Sequence, residues 1–170
     1  VYASQYLTPD HTARQMAALA MRYFDNDSRI VDACCGTGQL TRALLLEGVH
    51  PSAILGFDAD AELVDLYERL YPDAAALRMQ FREIDFHCEN VIANPPFEVP
   101  ECTVFLQWLS RIQCSGDRAV LLLPSGFIDK QRPRSVQETM RHFIVHHRIP
   151  MQEPFARTNC RAEIVMLERV

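Results

Sequence analysis

The sequence predicts an α/β fold, a doubly wound sheet of mostly parallel strands, and three observations carry that prediction. Short apolar runs of strand type alternate with longer runs of helical periodicity along the chain. A glycine-bearing turn, "DACCGTG" (32–38), joins the first strand run to the helix after it. The polar residues least suited to a core gather at the carboxyl ends of strand runs, where open α/β sheets bind ligands. With 170 residues and no repeat, low-complexity tract or Gly/Ser linker, the chain reads as one domain over 1–170.

Each element follows from its residues. In "LTPDHTARQMAALAMRYF" (7–24), Ala13, Met16, Ala17, Ala20 and Phe24 share one helical face. Thr8 offers an N-cap oxygen and Pro9 suits a first turn. "RIVDA" (29–33) is a short buried strand, "GQLTRALLLEG" (38–48) a helix ended by Gly48, and "AILGFD" (53–58) a second strand. "AELVDLYERLYP" (61–72) is a helix stopped by Pro72, and "ALRMQF" (76–81) the next strand. Then come a strand at "NVIAN" (90–94), a helix about "CTVFLQWLSRI" (102–112) and a strand at "RAVLLLP" (118–124). A helix near 134–146 and a strand "AEIVMLE" (162–168) complete the series.

Composition narrows the function. At 48% hydrophobic and 23% charged residues the chain has the make-up of a soluble globular protein. It has no run of eighteen apolar residues, and its N-terminus lacks a signal-peptide layout, so the expectation is a cytoplasmic protein with no membrane partner. Six cysteines without a CxxC pair point to reduced thiols and to no metal site. A net charge of −5 argues against a whole surface that grips nucleic acid. Any such contact is local, and residues 128–148 supply it best: Lys130, Arg132, Arg134, Arg141 and Arg148 against Asp129 and Glu138. The plainer reading of that run is a solvated helix face.

Four groups of residues carry candidate chemistry. In the 32–38 turn, Gly36 and Gly38 permit a sharp bend and a close approach of ligand to backbone. Without GK[ST] the turn is no phosphate-binding P-loop, and it departs from GxGxxG. Cys34 and Cys35 are small enough to be packing residues. Asp58 sits where a carboxylate accepts hydrogen bonds from both hydroxyls of a ribose, although Asp58 or Asp60 also suits the N-cap of the next helix. Asp85 and Phe86 offer an acceptor for an adenine amino group and a ring to stack on it.

The fourth group is "NPPF", residues 94–97. Asn94 brings a side-chain oxygen, and Pro95, which has no N–H, brings a carbonyl held by its neighbouring ring. Two converging acceptors bind both hydrogens of an exocyclic NH₂ and hold them out of the plane of the base, which frees a nitrogen lone pair otherwise delocalised into the ring. Phe97 can stack on a flat ring, including a base flipped from its helix. The plain alternative is a strand that ends in a stiff turn.

Taken together, these segments resemble the S-adenosylmethionine-dependent methyltransferases that modify exocyclic amino groups, most closely the N6-adenine DNA methyltransferases of gamma-type motif order. Tyr6, Thr8 and Pro9 match the family's "Y-x-TP" segment; Asp32, Cys35, Gly36, Thr37 and Gly38 match its "D-P-x-C-G-T-G" loop, with Ala33 in place of the proline. The resemblance implies a Rossmann-like seven-stranded sheet with the last strand antiparallel. It also implies S-adenosyl-L-methionine held at Tyr6, Thr8, Asp32, Cys34, Cys35, Gly36, Gly38, Asp58, Ala59, Asp85, Phe86 and Asn94, and catalysis at Asn94, Pro95, Pro96 and Phe97. Phe155, in a stretch like the family's late hairpin, becomes a second aromatic near the target base, with Phe97, Lys130, Arg132 and Arg134 on the substrate side. The implied substrate is DNA or RNA. The expected reaction is methylation of N6 of adenine in DNA; methylation of an RNA base or a protein glutamine, or a non-catalytic cofactor-binding subunit of a restriction-modification assembly, are the alternatives. No target-recognition domain is evident, and the chain starts at Val1, so a specificity subunit or a larger parent chain is a further expectation.

Overall fold

In the computed structural model, residues 7–129, 133–153, 155 and 160–170 are described. Their seven strands are β1 (Ile30–Ala33), β2 (Ile54–Asp58), β3 (Ala75–Arg78), β4 (Asn90–Ala93), β5 (Arg118–Pro124), β6 (Phe143–Pro150) and β7 (Ala162–Arg169). They form one sheet in the order β3-β2-β1-β4-β5-β7-β6. The first five pair in parallel, and β7 pairs antiparallel with both β5 and β6. The sheet is thus the seven-stranded, doubly wound α/β sheet with an antiparallel last strand that the sequence predicts.

Five helices cover it: α1 (Asp10–Tyr23), α2 (Gln39–Leu46), α3 (Ala61–Leu70), α4 (Val99–Ile112) and α5 (Arg134–Met140). Successive side chains of a strand point to opposite faces, and the central strands are apolar on both, as buried parallel strands require. Ile30, Ile92, Val120, Leu122, Ile164 and Met166 join α1 and α2 in one core layer. Val31, Val91, Leu121, Val165 and Leu167 join Phe105, Trp108 and Leu109 of α4 in the other. Pro100 lies in the first turn of α4, where its missing N–H costs nothing.

Two expectations are corrected. Thr8 does not cap α1: Pro9 is the N-cap residue and no side chain caps the helix. The helix foreseen over 134–146 ends at Met140, and the chain turns into β6 at Phe143. β6 is one of the sheet's two outer strands and keeps only Phe143 fully buried, so its histidines and arginine do not show the apolar alternation that reveals a strand.

Candidate active site

The strand register fixes the site. Ala33 of β1 lies opposite Phe57 of β2 and Ala93 of β4. The residues that follow, Asp58, Cys34 and Asn94, therefore leave the sheet side by side at its carboxyl edge, with Asp58 and Asn94 two strand spacings apart, or about 10 Å. Between β1 and β4 the winding of the chain reverses, which is the switch point where such sheets leave a crevice. A cleft of about 650 Å³ opens there, of a size suited to a small-molecule ligand.

The turn after β1 is held in a left-handed conformation at three residues, Cys34 (φ 58°), Gly36 (φ 53°) and Gly38 (φ 83°). Gly36 lines the cleft, and a Cβ there would meet nothing within 4 Å. Gly38 serves packing: a Cβ on it would lie 2.3 Å from Cε2 of Tyr71, behind the cleft lining. Asp58 fastens this turn, accepting from the Gly36 N–H on Oδ2 (3.0 Å) and from the Asp60 N–H on Oδ1 (2.9 Å). Asp60, not Asp58, is the N-cap of α3 and accepts from the Glu62 N–H at 2.9 Å. Asp58 still faces the cleft, and each carboxylate oxygen has a second lone pair for a ligand hydroxyl.

Asp32 is wholly buried beneath the turn and does not line the cleft. Its Oδ2 accepts from the Thr41 N–H (3.0 Å) and hydroxyl (2.7 Å), which leaves the Tyr67 hydroxyl to donate to Thr41 Oγ1 at 2.8 Å. Burial pushes the Asp32 carboxyl up to about 7 against the opposing pull of the two Thr41 bonds. It pins the first turn of α2 to β1. Burial likewise drives the Cys34 and Cys35 thiols far above their ordinary range, reinforced by Asp58 and Asp32. Protonated thiols suit a packing role and not a redox one.

Across the cleft, Thr8 does its work as an acceptor: Asn94 donates from Nδ2 to Thr8 Oγ1 at 3.0 Å. That bond sets which end of the half-buried amide carries the oxygen. Pro95 is buried, and the Pro96 carbonyl accepts from the Cys102 thiol at 2.9 Å, tying the stiff turn to α4. Phe97 lines the cleft and meets Phe155 edge to face, with ring centroids 5.1 Å apart. Phe155 is buried behind it.

Other sequence candidates fall elsewhere. Asp85 and Phe86 are exposed and outside the cleft lining. Met79, Gln80, Phe81 and Arg82 line that wall, because a 3-10 turn at Phe81–Glu83 follows β3 almost at once and carries the later "DF" past the cleft. The Asp58–Arg78 pairing was the signal that could have found them, since the residues after Arg78 must emerge beside Asp58. Ala59 lines the cleft. Arg134 lies outside the cleft lining and pairs with Glu138 at 2.7 Å. Arg148 is held by Asp129 and Glu163, each at 2.8 Å. Tyr6, Lys130 and Arg132 lie outside the described residues. The rim is acidic, with Asp60, Glu98 and Glu101; Arg82 is the one cation among the described lining residues, and it is paired with Glu101 at 2.7 Å.

An open glycine backbone, a carboxylate at the end of the second strand and apolar walls at Phe57 and Leu63 suit a nucleoside-bearing cofactor. The fold is one also found in solved S-adenosylmethionine-dependent methyltransferases. A Pyrococcus horikoshii protein classed as an RNA methyltransferase superposes with a TM-score of 0.75 at 21% identity, over 98% of this chain and 85% of its own. Magnesium protoporphyrin IX methyltransferase from Synechocystis PCC 6803, solved with bound S-adenosylmethionine, gives 0.72 at 13% identity over 95% of this chain and 79% of its own. The type IIG restriction endonuclease BpuSI gives 0.76 at 15% identity, over 99% of this chain but only 26% of its own. No protein-family profile and no curated protein matches the chain.

Proposed function

We propose that this chain is an S-adenosylmethionine-dependent methyltransferase that moves a methyl group to an exocyclic amino nitrogen, with N6 of adenine in DNA as the target. The observation that carries the reading is the alignment of Asp58, Cys34 and Asn94 at one level of three adjacent strands, with Gly36 open toward the same cleft. Asp58 would accept from the ribose hydroxyls, Gly36 would let the cofactor lie against the main chain, and Phe57, Leu63 and Phe81 would wall its base. When bound, S-adenosylmethionine supplies an electrophilic methyl on a sulfonium.

The chain's own residues prepare the acceptor. Asn94 Oδ1 and the Pro95 carbonyl take the two N–H bonds of the amino group, and the Thr8 bond keeps the amide turned for that task. Phe97, backed by Phe155, presents the ring on which the target base stacks. After transfer the amino nitrogen loses one proton to solvent. A restriction endonuclease and a protein classed as an RNA methyltransferase both stand among the structural neighbours, which supports a nucleic-acid target.

A second reading has one observation in its favour. The acidic rim suits a protein glutamine amide better than a phosphate backbone. Incubation with cofactor labelled on its methyl, followed by counting of DNA, RNA and protein pools, decides between them. Label in DNA, recovered as N6-methyladenine, is the expected result; label confined to protein would move the assignment to the glutamine amide.

A further inference from the structure

At the opposite end of the sheet, ahead of β4 and β5, three side chains of metal-ligating type converge. His87 Nε2, Cys114 Sγ and a carboxylate oxygen of Asp117 all lie within 4.8 Å of one another. His87 and Asp117 are 2.5 Å apart, which alone is an ordinary surface contact of little energetic weight. The thiol changes the chemistry. Imidazole, thiolate and carboxylate together are the donors of a borderline cation and are a poor set for magnesium or calcium.

The backbone under these residues is braced. Cys114 to Asp117 form a tight turn, with the Asp117 N–H donating to the Cys114 carbonyl (3.1 Å), the Cys114 N–H donating to Asp117 Oδ2 (2.6 Å) and Gly116 at φ 92°. Buried Gln113 donates from Nε2 to the carbonyls of Cys88 (3.2 Å), Glu89 (3.3 Å) and Arg118 (3.0 Å). Each candidate ligand is therefore the immediate chain neighbour of a residue in this clamp: His87 of Cys88, Cys114 of Gln113, Asp117 of Arg118. All three reach solvent, so no buried charge has to be created before an ion arrives.

We propose that His87, Cys114 and Asp117 form a three-ligand site for zinc, with solvent at the fourth position. Bonds of about 2.0–2.3 Å in a tetrahedral site place ligand atoms on the order of 3.3–3.8 Å apart, within reach of exposed side chains that already meet. Zinc binds the free lone pairs of His87 Nε2 and the Asp117 carboxylate, and the Cys114 thiol gives up its proton on binding. The ion joins the loop before β4 to the turn before β5. The cysteine spacing pointed away from a metal because the ligands come from two segments, 27 residues apart, that meet only in the fold.

The test uses the full chain and is independent of methyl transfer. Calorimetric titration with zinc chloride is expected to give one equivalent bound, and cobalt(II) a thiolate charge-transfer absorption that vanishes in Cys114→Ser. Loss of an outer-shell partner alone costs about 10–100-fold in metal affinity, so Cys114→Ser and His87→Gln should each cost at least about a hundredfold. Asp117→Asn keeps an oxygen for the Cys114 N–H and so preserves the turn while it weakens the ion. Zinc should raise the melting temperature of the parent and leave that of the folded His87→Gln protein unchanged. No binding by the parent, or equal affinity in the Cys114→Ser, His87→Gln double variant, would overturn the proposal.

Discussion

The two ends of this sheet are built on opposite plans. At the carboxyl end, the loops after β1, β2 and β4 part from one another, and the register leaves Asp58, Cys34 and Asn94 in a row at the floor of a cleft. At the amino end, Gln113 draws the segments before β4 and β5 together until their side chains touch. The difference teaches where this fold spends its polar groups. Where loops diverge, side chains such as Asn94, which donates to Thr8, and Asp58, which accepts from the N–H groups of Gly36 and Asp60, are aimed by a few local bonds and line the cleft. Where loops are clamped, polar groups satisfy one another.

The sharpest way to break the comparison is to remove the acceptor at the open end. Asn94→Ala deletes one of the two acceptors for the amino group and should cut the rate of methyl transfer about a hundredfold or more, with cofactor affinity nearly unchanged. Single-turnover rates with labelled cofactor measure it. Parent-like transfer by the folded variant would reduce "NPPF" to a stiff turn. Asp58→Ala should come next, weakening cofactor binding by about 1.5–3 kcal/mol for each charged hydrogen bond lost, because it both removes the ribose acceptor and releases the Gly36 N–H. Calorimetry reads the change. Unaltered affinity would confine Asp58 to bracing the turn.

Asp32 sharpens the comparison from between the two ends, since it is a polar group that neither faces ligand nor meets solvent. Its carboxyl is pushed up to about 7 from an ordinary 3.8, so the folded state holds a proton that the unfolded chain releases. The stability this group contributes is complete below about pH 4 and is lost as pH rises through 7, with a slope of up to about 1.4 kcal/mol per pH unit between them. Asp32→Asn stays neutral and keeps an oxygen for both Thr41 donors. The stability of the parent minus that of the variant, from urea midpoints across pH 4 to 8, should therefore fall and then level above 7. A flat difference would mean that Asp32 is ionised throughout.

How much of this was legible in the sequence follows the same division. β1, β2, β4, β5 and β7 announce themselves because their apolar runs are buried on both faces, and Asp58 and Asn94 because each stands one residue beyond such a run. β6 did not, since most of its residues are at least partly exposed and its polar composition extends the helix pattern before it. Gln80 and Phe81 were passed over for Asp85 and Phe86 because residue type favours an acid and a ring, whereas position depends on the strand register and the 3-10 turn. Gly38 is expected as a ligand contact from its place in the turn, whereas its packing against Tyr71, a residue 33 positions away, is connected to it by no local pattern. The Gln113 clamp was invisible for the same reason.

The smallest expected effect tests whether the basic run beyond the cleft belongs to the open end at all. Arg134 has a side chain that is 91% exposed, and its partner Glu138 lies one helical turn away, so the pair has the geometry of a solvated helix face. Exposed pairs of this spacing contribute about 0.3–0.5 kcal/mol, and Arg134→Ala should cost no more in urea unfolding. A phosphate contact would show itself in another quantity: the slope of log affinity for DNA against log salt, which flattens by roughly one unit for each contact removed. Arg134 lies outside the cleft lining and is matched to its own acid, and Arg148 of the same run is held by Asp129 and Glu163. The expected outcome is therefore an unchanged slope. A slope that flattens by one unit would bring α5 into the substrate surface and weigh against the protein-glutamine reading of the acidic rim.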